Sequence, residues 1–178
     1  MIMIMILQNH GPTKAEVADA PKIAQIHVET WRAAYRGQIA DAVLDALDVG
    51  RRTQFWQGRI KNSHGVVFLA EEAGKIVGFC DLIPSRDPDA DSQTVAEIVA
   101  IYVLPLFWRK GIGKLLNNRA VTEARNHSFK ALTLWVLASN HSAHSFYRAM
   151  GLRADGAAKT EKALGGNDLH EVRFRVEL

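Results

Sequence analysis

A chain of 178 residues with 48% hydrophobic and 23% charged residues suits one enzyme-sized core and is short for two. Its net charge of +3 is not gathered in one run, which argues against nucleic-acid binding, and its single cysteine, Cys80, excludes an intramolecular disulfide and suits a reducing, cytoplasmic compartment. No segment approaches the roughly 20 apolar residues of a membrane helix, and the opening MIMIMIL lacks the basic start and the cleavage site of a secretion signal.

Residues 1–12 read as a tail or first strand and residues 13–178 as one domain. Asp19 stands where a helix cap belongs, with Pro21 just inside, and Ile23, Ile26 and Val28 carry that helix towards Tyr35 before Gly37 breaks it. Residues 41–60 read as helix in two pieces split near Gly50. Residues 66–72 and 75–83 read as strands joined by a tight turn at Ala73-Gly74. Residues 84–92 (PSRDPDADS) are a polar loop, and residues 94–104 a long apolar strand. A helix follows over 111–126, a second buried strand over 131–138, and a short helix over 142–150 that Gly151 ends. After a turn at Gly165-Gly166-Asn167, Val172, Phe174, Val176 and Leu178 alternate with Arg173, Arg175 and Glu177. The alternation of helices and strands gives a mixed α/β sheet domain. Cys80, inside an apolar strand, reads as a packed thiol rather than a nucleophile.

Residues 101–113 (IYVLPLFWRKGIG) are the most informative stretch. A strand runs into Pro105, then a basic turn, then glycines that open a helix. Free amides and the positive end of the helix dipole form a pyrophosphate cradle there, and glycine lets phosphates approach the backbone. Arg109, Lys110 and Lys114 add positive charge. A mononucleotide P-loop fails because Trp108 stands where its first glycine belongs and Leu115 where Ser or Thr should follow the Gly113-Lys114 pair. A dinucleotide fingerprint fails because Leu116 occupies its third glycine position. The remaining candidate is the pyrophosphate of coenzyme A.

A second motif, NHSAHSFYRAMGL over 140–152, follows the next strand. The two together resemble the GNAT superfamily of acyl-CoA-dependent N-acetyltransferases. The first is similar to its Gln/Arg-x-x-Gly-x-Gly/Ala loop. The second is similar to its Asn-x-x-Ala-x-x-Phe-Tyr-x-x-x-Gly-Phe signature through Asn140, Ala143, Phe146, Tyr147 and Gly151. The resemblance extends to residues 26–37 and 165–173, as in one bacterial group. Trp108, in place of the usual Gln or Arg, is a departure.

The resemblance implies a twisted central sheet flanked by helices, in which two parallel strands splay and pantetheine pairs with the open edge like an added strand. Acetyl-CoA is then the co-substrate. Ile101, Tyr102 and Val103 should supply the edge, and the Val103 N–H the oxyanion donor. Arg109, Lys110, Gly111, Ile112, Gly113 and Lys114 should hold the pyrophosphate, Asn140 the pantetheine arm, and Tyr147 should protonate the departing thiolate.

An alkylamine is neutral in only about one part in a thousand at pH 7, so the site benefits from a base or a water chain to one. Glu97 is the first candidate: it lies in an apolar strand, and period two places it on one face with Val99, Ile101 and Val103. Its alternative reading is a salt-bridged or edge-facing glutamate. His27, Trp31 and Tyr35 form a helical stripe, read either as core packing or as an aromatic wall for the acceptor. No metal-ligand spacing is present. The expected reaction is direct attack in a ternary complex by a small-molecule or peptide amine, with no nucleic acid or membrane partner and a homodimer as the base-rate assembly. The competing readings are an inactive acyl-CoA-binding sensor and a basic interaction module.

Overall fold

The computed structural model describes residues 11–62, 64–162 and 168–178. The MIMIMIL segment and the Gly165-Gly166-Asn167 turn lie outside them. In chain order the elements are β1 (Thr13–Lys14), α1 (Ala20–Ala34), α2 (Asp41–Asp45), α3 (Val49–Lys61), β2 (Val66–Glu72), β3 (Lys75–Pro84), β4 (Val95–Val103), α4 (Ile112–Asn126), β5 (Ala131–Leu137), α5 (His141–Ala149), β6 (Arg153–Lys162) and β7 (Asp168–Glu177). The strands form one sheet in the order β1-β2-β3-β4-β5-β7-β6. It is antiparallel except between β4 and β5, as expected for a mixed α/β domain.

Two apolar clusters cover the two faces. On one, Leu116, Ala120 and Ala124 of α4 pack on Phe68, Cys80, Ile98, Leu134 and Phe174. On the other, Ile23 and Ile26 of α1 and Trp56 of α3 pack on Leu69, Phe79 and Ala100. Each fully buried Leu, Ile or Phe contributes about 1.5–3 kcal/mol. Cys80 is a free, fully buried thiol whose pKa burial pushes up, so it is inert packing as its strand position suggested.

Three local expectations change. The Asp19 side chain does not cap α1; it turns back to accept from the Glu16 N–H at 2.8 Å. The helical break falls at residues 46–48 rather than at Gly50, because the Asp48 side chain caps α3 by accepting from the Arg51 N–H at 2.7 Å. Strand β6 (RADGAAKTEK) is an addition: it is largely exposed and polar, and its pairing with β7 decides it, not its own pattern.

Candidate active site

The site begins where β4 and β5 part. Their parallel pairing runs from Val95↔Ala131 to Ile98↔Leu134 and then stops, although β5 continues to Leu137 and β4 to Val103. At that same point β4 carries a bulge. Ile98 faces Leu82 and Ala100 faces Asp81, so Val99 has no partner on β3 and is 38% exposed. A bulge bends its strand and re-aims the residues beyond it.

The bulge corrects the period-two reading of β4. Ahead of it, Ala96 and Ile98 face α4; beyond it, Ile101 and Val103 do, while Ala100 and Tyr102 face α1. Glu97 therefore shares the α1 face with Ala100 and Tyr102, not the face of Ile101 and Val103. Its carboxylate is 98% buried and held by Arg86: Oε1 accepts from Nη2 at 2.6 Å, and Oε2 from Nε at 3.1 Å and from the Arg86 backbone N–H at 3.2 Å.

The backbone edge is also more selective than expected. The Leu104 N–H donates to the Val77 carbonyl at 2.9 Å. Opposed antiparallel pairs alternate, so Tyr102 is hydrogen-bonded to Phe79 while Ile101 and Val103 turn their N–H and C=O groups towards the gap. Tyr102 thus offers its side chain, not its backbone. The Val103 carbonyl already accepts from the Thr30 hydroxyl at 3.1 Å and from the Trp108 indole N–H at 2.6 Å.

Past Pro105 the chain turns through Arg109 (φ +63°) and Gly111 (φ +85°), both left-handed, and Gly111 caps α4. The amides of Ile112, Gly113 and Lys114 open the helix without intrahelical partners. Arg109, Lys110 and Lys114 are exposed around them. The second motif meets the first here, since a Cβ on Gly113 would stand 3.3 Å from Phe146 Cζ. At the start of α5 the Asn140 Oδ1 accepts from the Ala143 N–H at 3.1 Å, leaving its Nδ2 as the group able to reach a ligand. Tyr147 packs on Phe146 and Phe174. Burial, reinforced by Tyr102 and Cys80, pushes its phenol well above the usual value. His144 packs on Phe174 and bonds the Leu137 carbonyl at 3.0 Å.

On the α1 face the aromatic stripe divides. His27 is 94% buried among Trp31, Trp56, Phe79 and Tyr102, with neither ring nitrogen hydrogen-bonded. Burial, with Arg52 second, lowers its pKa to about 3. Trp31 and Tyr35 stack edge to face and are half-buried. The Tyr35 hydroxyl lies against that of Tyr102, and Tyr147 is within electrostatic reach of both.

Two charged residues here escaped the sequence reading. Glu171 of β7 is opposite in phase to the α4-facing Val172 and Phe174, so it looks to the α1 face. Its carboxyl is raised by desolvation despite Lys159 at 3.2 Å, and its charge reaches Tyr35 and Tyr102. Arg52 of α3 stands over the Trp31 ring at 5.8 Å. The alternating charges of 172–178 carried a hint of Glu171; nothing in the pattern of α3 marked Arg52.

Behind β5, Arg173 clasps the polar loop. It donates to Asp89 at 2.7 and 2.8 Å, to Asp155 at 2.7 Å and to Asp87 at 3.1 Å. A cavity of about 270 Å³ between Lys14, Val66, Ile83 and Glu123 shares no residue with this site. Among the described residues no histidine, cysteine and carboxylate cluster could hold a metal, and no helix is long and apolar enough to cross a membrane.

The profile of the acetyltransferase (GNAT) family matches residues 21–152. The chain is 27% identical over 164 residues to a probable N-acetyltransferase of Mycobacterium tuberculosis, covering 91% of this chain and 90% of that one. It is 29% identical over 159 residues to an uncharacterized N-acetyltransferase of Bacillus subtilis, covering 89% and 88%. Its fold matches that of the PaiA N-acetyltransferase from Thermoplasma acidophilum, solved with coenzyme A, at a TM-score of 0.72 and 18% identity, covering 94% of this chain and 98% of that one.

Proposed function

Because the chain belongs to the GNAT acetyltransferase family, we propose that it transfers the acetyl group of acetyl-CoA to a primary amine by direct attack in a ternary complex. One observation carries the reading: the open β4 edge beyond Ile98 ends at Val103, and a single turn carries the chain from there to the unpaired amides of Ile112, Gly113 and Lys114. That combination fits a ligand with an amide-bearing arm and a pyrophosphate. Acetyl-CoA supplies the activated thioester.

The residues divide the work. The Ile101 and Val103 backbone pairs with the arm, and the Val103 N–H faces the position of a developing oxyanion. Arg109, Lys110 and Lys114 balance phosphate charge, and Asn140 Nδ2 donates to the arm. Tyr147, kept protonated by burial, donates to the departing thiolate. Of the two carboxylates on the α1 face, Glu97 has both its oxygens engaged by Arg86 and serves to anchor that arginine. Glu171 is the better proton acceptor, since desolvation already raises its carboxyl. The acceptor approaches from this face, and Trp31 and Tyr35 form its wall.

Thermal shifts with acetyl-CoA, CoA, ATP and NAD test the reading. A ligand at 100 times its Kd adds about 2.7 kcal/mol of stability. Acetyl-CoA and CoA should raise Tm and the others should not. No rise with either thioester or thiol overturns the proposal; a rise with no CoA release on any amine supports the sensor reading instead.

A further inference from the structure

Arg52 is a cation without an anion. No carboxylate among the described residues lies within ion-pair distance of it; Arg32, Arg51, Arg109, Arg125, Arg148 and Arg153 share that lack, but of these it is Arg52 that stands over the Trp31 ring, whereas Arg36, Arg59, Arg86, Arg119, Arg173 and Arg175 each have a carboxylate. It is half-buried, with its guanidinium over the rings of Trp31 at 5.8 Å and Phe55 at 6.0 Å. Beside it, the Trp31 indole N–H is shut off from water with no hydrogen-bond partner, close to the Tyr102 hydroxyl but not in bonding geometry. Buried donors normally find acceptors. An unpaired guanidinium and an unpaired N–H on neighbouring side chains are the complement of a carboxylate.

The placement of charge agrees. In the lateral order of the sheet, α3 lies over β2 and β3, Tyr102 is on β4, and Glu171 is on β7 beyond β5. The α1 face thus carries an unpaired cation on the Arg52 side and, on the other, the Glu171 carboxyl with Lys159 beside it, with the Tyr35 and Tyr102 hydroxyls between.

Resting on the transferase reading above, we infer that the acceptor is a free amino acid with an aromatic or large apolar side chain, its carboxylate bound by Arg52 and the Trp31 N–H and its amine directed towards Glu171 and Tyr147. A peptide N-terminus lacks a carboxylate at that separation, and a simple amine lacks it altogether.

The test is calorimetric titration of the CoA-loaded protein with phenylalanine, tyrosine, tryptophan, leucine and methionine, each beside its carboxamide and its decarboxylated amine. At least one acid should bind, with its amide and amine roughly ten- to a hundredfold weaker, the range of a charge-assisted hydrogen bond. Arg52→Met should bring the three forms within about threefold of one another, and Arg52→Lys should keep part of the preference. Equal or tighter binding of the amides or amines, or no binding by any of the five acids, overturns the inference. Because the wild-type series alone decides it, a poorly folding variant does not rescue it. An unaltered melting shift with acetyl-CoA beside such a failure leaves the transferase reading standing.

Discussion

The Trp108 indole N–H donates to the Val103 carbonyl at 2.6 Å, and the Thr30 hydroxyl donates to the same oxygen at 3.1 Å. A carbonyl has two lone pairs, so both are taken on the strand edge that a pantetheine arm would use. Binding there requires one donor to withdraw, and Trp108, 42% exposed, is the one free to move. Acetyl-CoA should therefore change the tryptophan fluorescence, and Trp108→Phe should abolish that change. Losing the competing bond should tighten acetyl-CoA roughly two- to tenfold, the worth of one ordinary hydrogen bond. Weaker binding by the variant would mean that the indole packs on the cofactor instead.

Tyr147→Phe keeps the ring contacts with Phe146 and Phe174 and removes only the hydroxyl. Turnover should fall roughly ten- to a thousandfold with CoA affinity nearly unchanged. Steady-state kinetics beside a CoA titration separate the two, and unchanged kcat would remove Tyr147 from the chemistry.

The two glutamates give different pH signatures. Glu171→Gln should lower kcat/KM most near neutral pH and least at high pH, where the amine is already neutral. Glu97→Gln leaves Arg86 without its carboxylate, so it should lower Tm and depress activity by a similar factor at every pH. Exchange of these two profiles would return Glu97 to the role of base.

Stability in acid should depend on His27. Burial holds it neutral in the folded protein down to about pH 3, whereas the unfolded chain takes up that proton near pH 6.5. Its contribution is complete above pH 6.5 and is lost as pH falls from there towards 3, at up to about 1.4 kcal/mol per pH unit. His27→Phe should flatten the acid limb of urea-derived stability by close to one proton. An unchanged slope would place the titration elsewhere.

Much of the fold was legible because its elements carry their own signals: Pro21 opening α1, the Ala73-Gly74 turn, the apolar runs of β4 and β5, and Gly151 ending α5. The cofactor half of the site was legible for the same reason, each motif being contiguous. The acceptor half was not. Arg52, Tyr102 and Glu171 come from α3, β4 and β7, and only the pairing of strands distant in sequence brings them to one face. Tyr102 was misplaced because hydrogen-bonded pairs alternate along a strand, so three successive residues cannot share one edge, and Glu97 because of a single unpaired residue, Val99, that no periodicity announces.

That residue makes β4 sensitive to length. Shorten the strand by Val99 and its two halves fall into one phase. Glu97, Ala100 and Tyr102 would keep the α1 face, and Ile98, Ile101 and Val103 the α4 face, but the bend would go at the very point where β4 leaves β5, and with it the cause of the gap. Many substitutions at 99 would keep that bend. A single-codon deletion there would not, so this exposed valine matters to the protein as a spacer more than as a side chain.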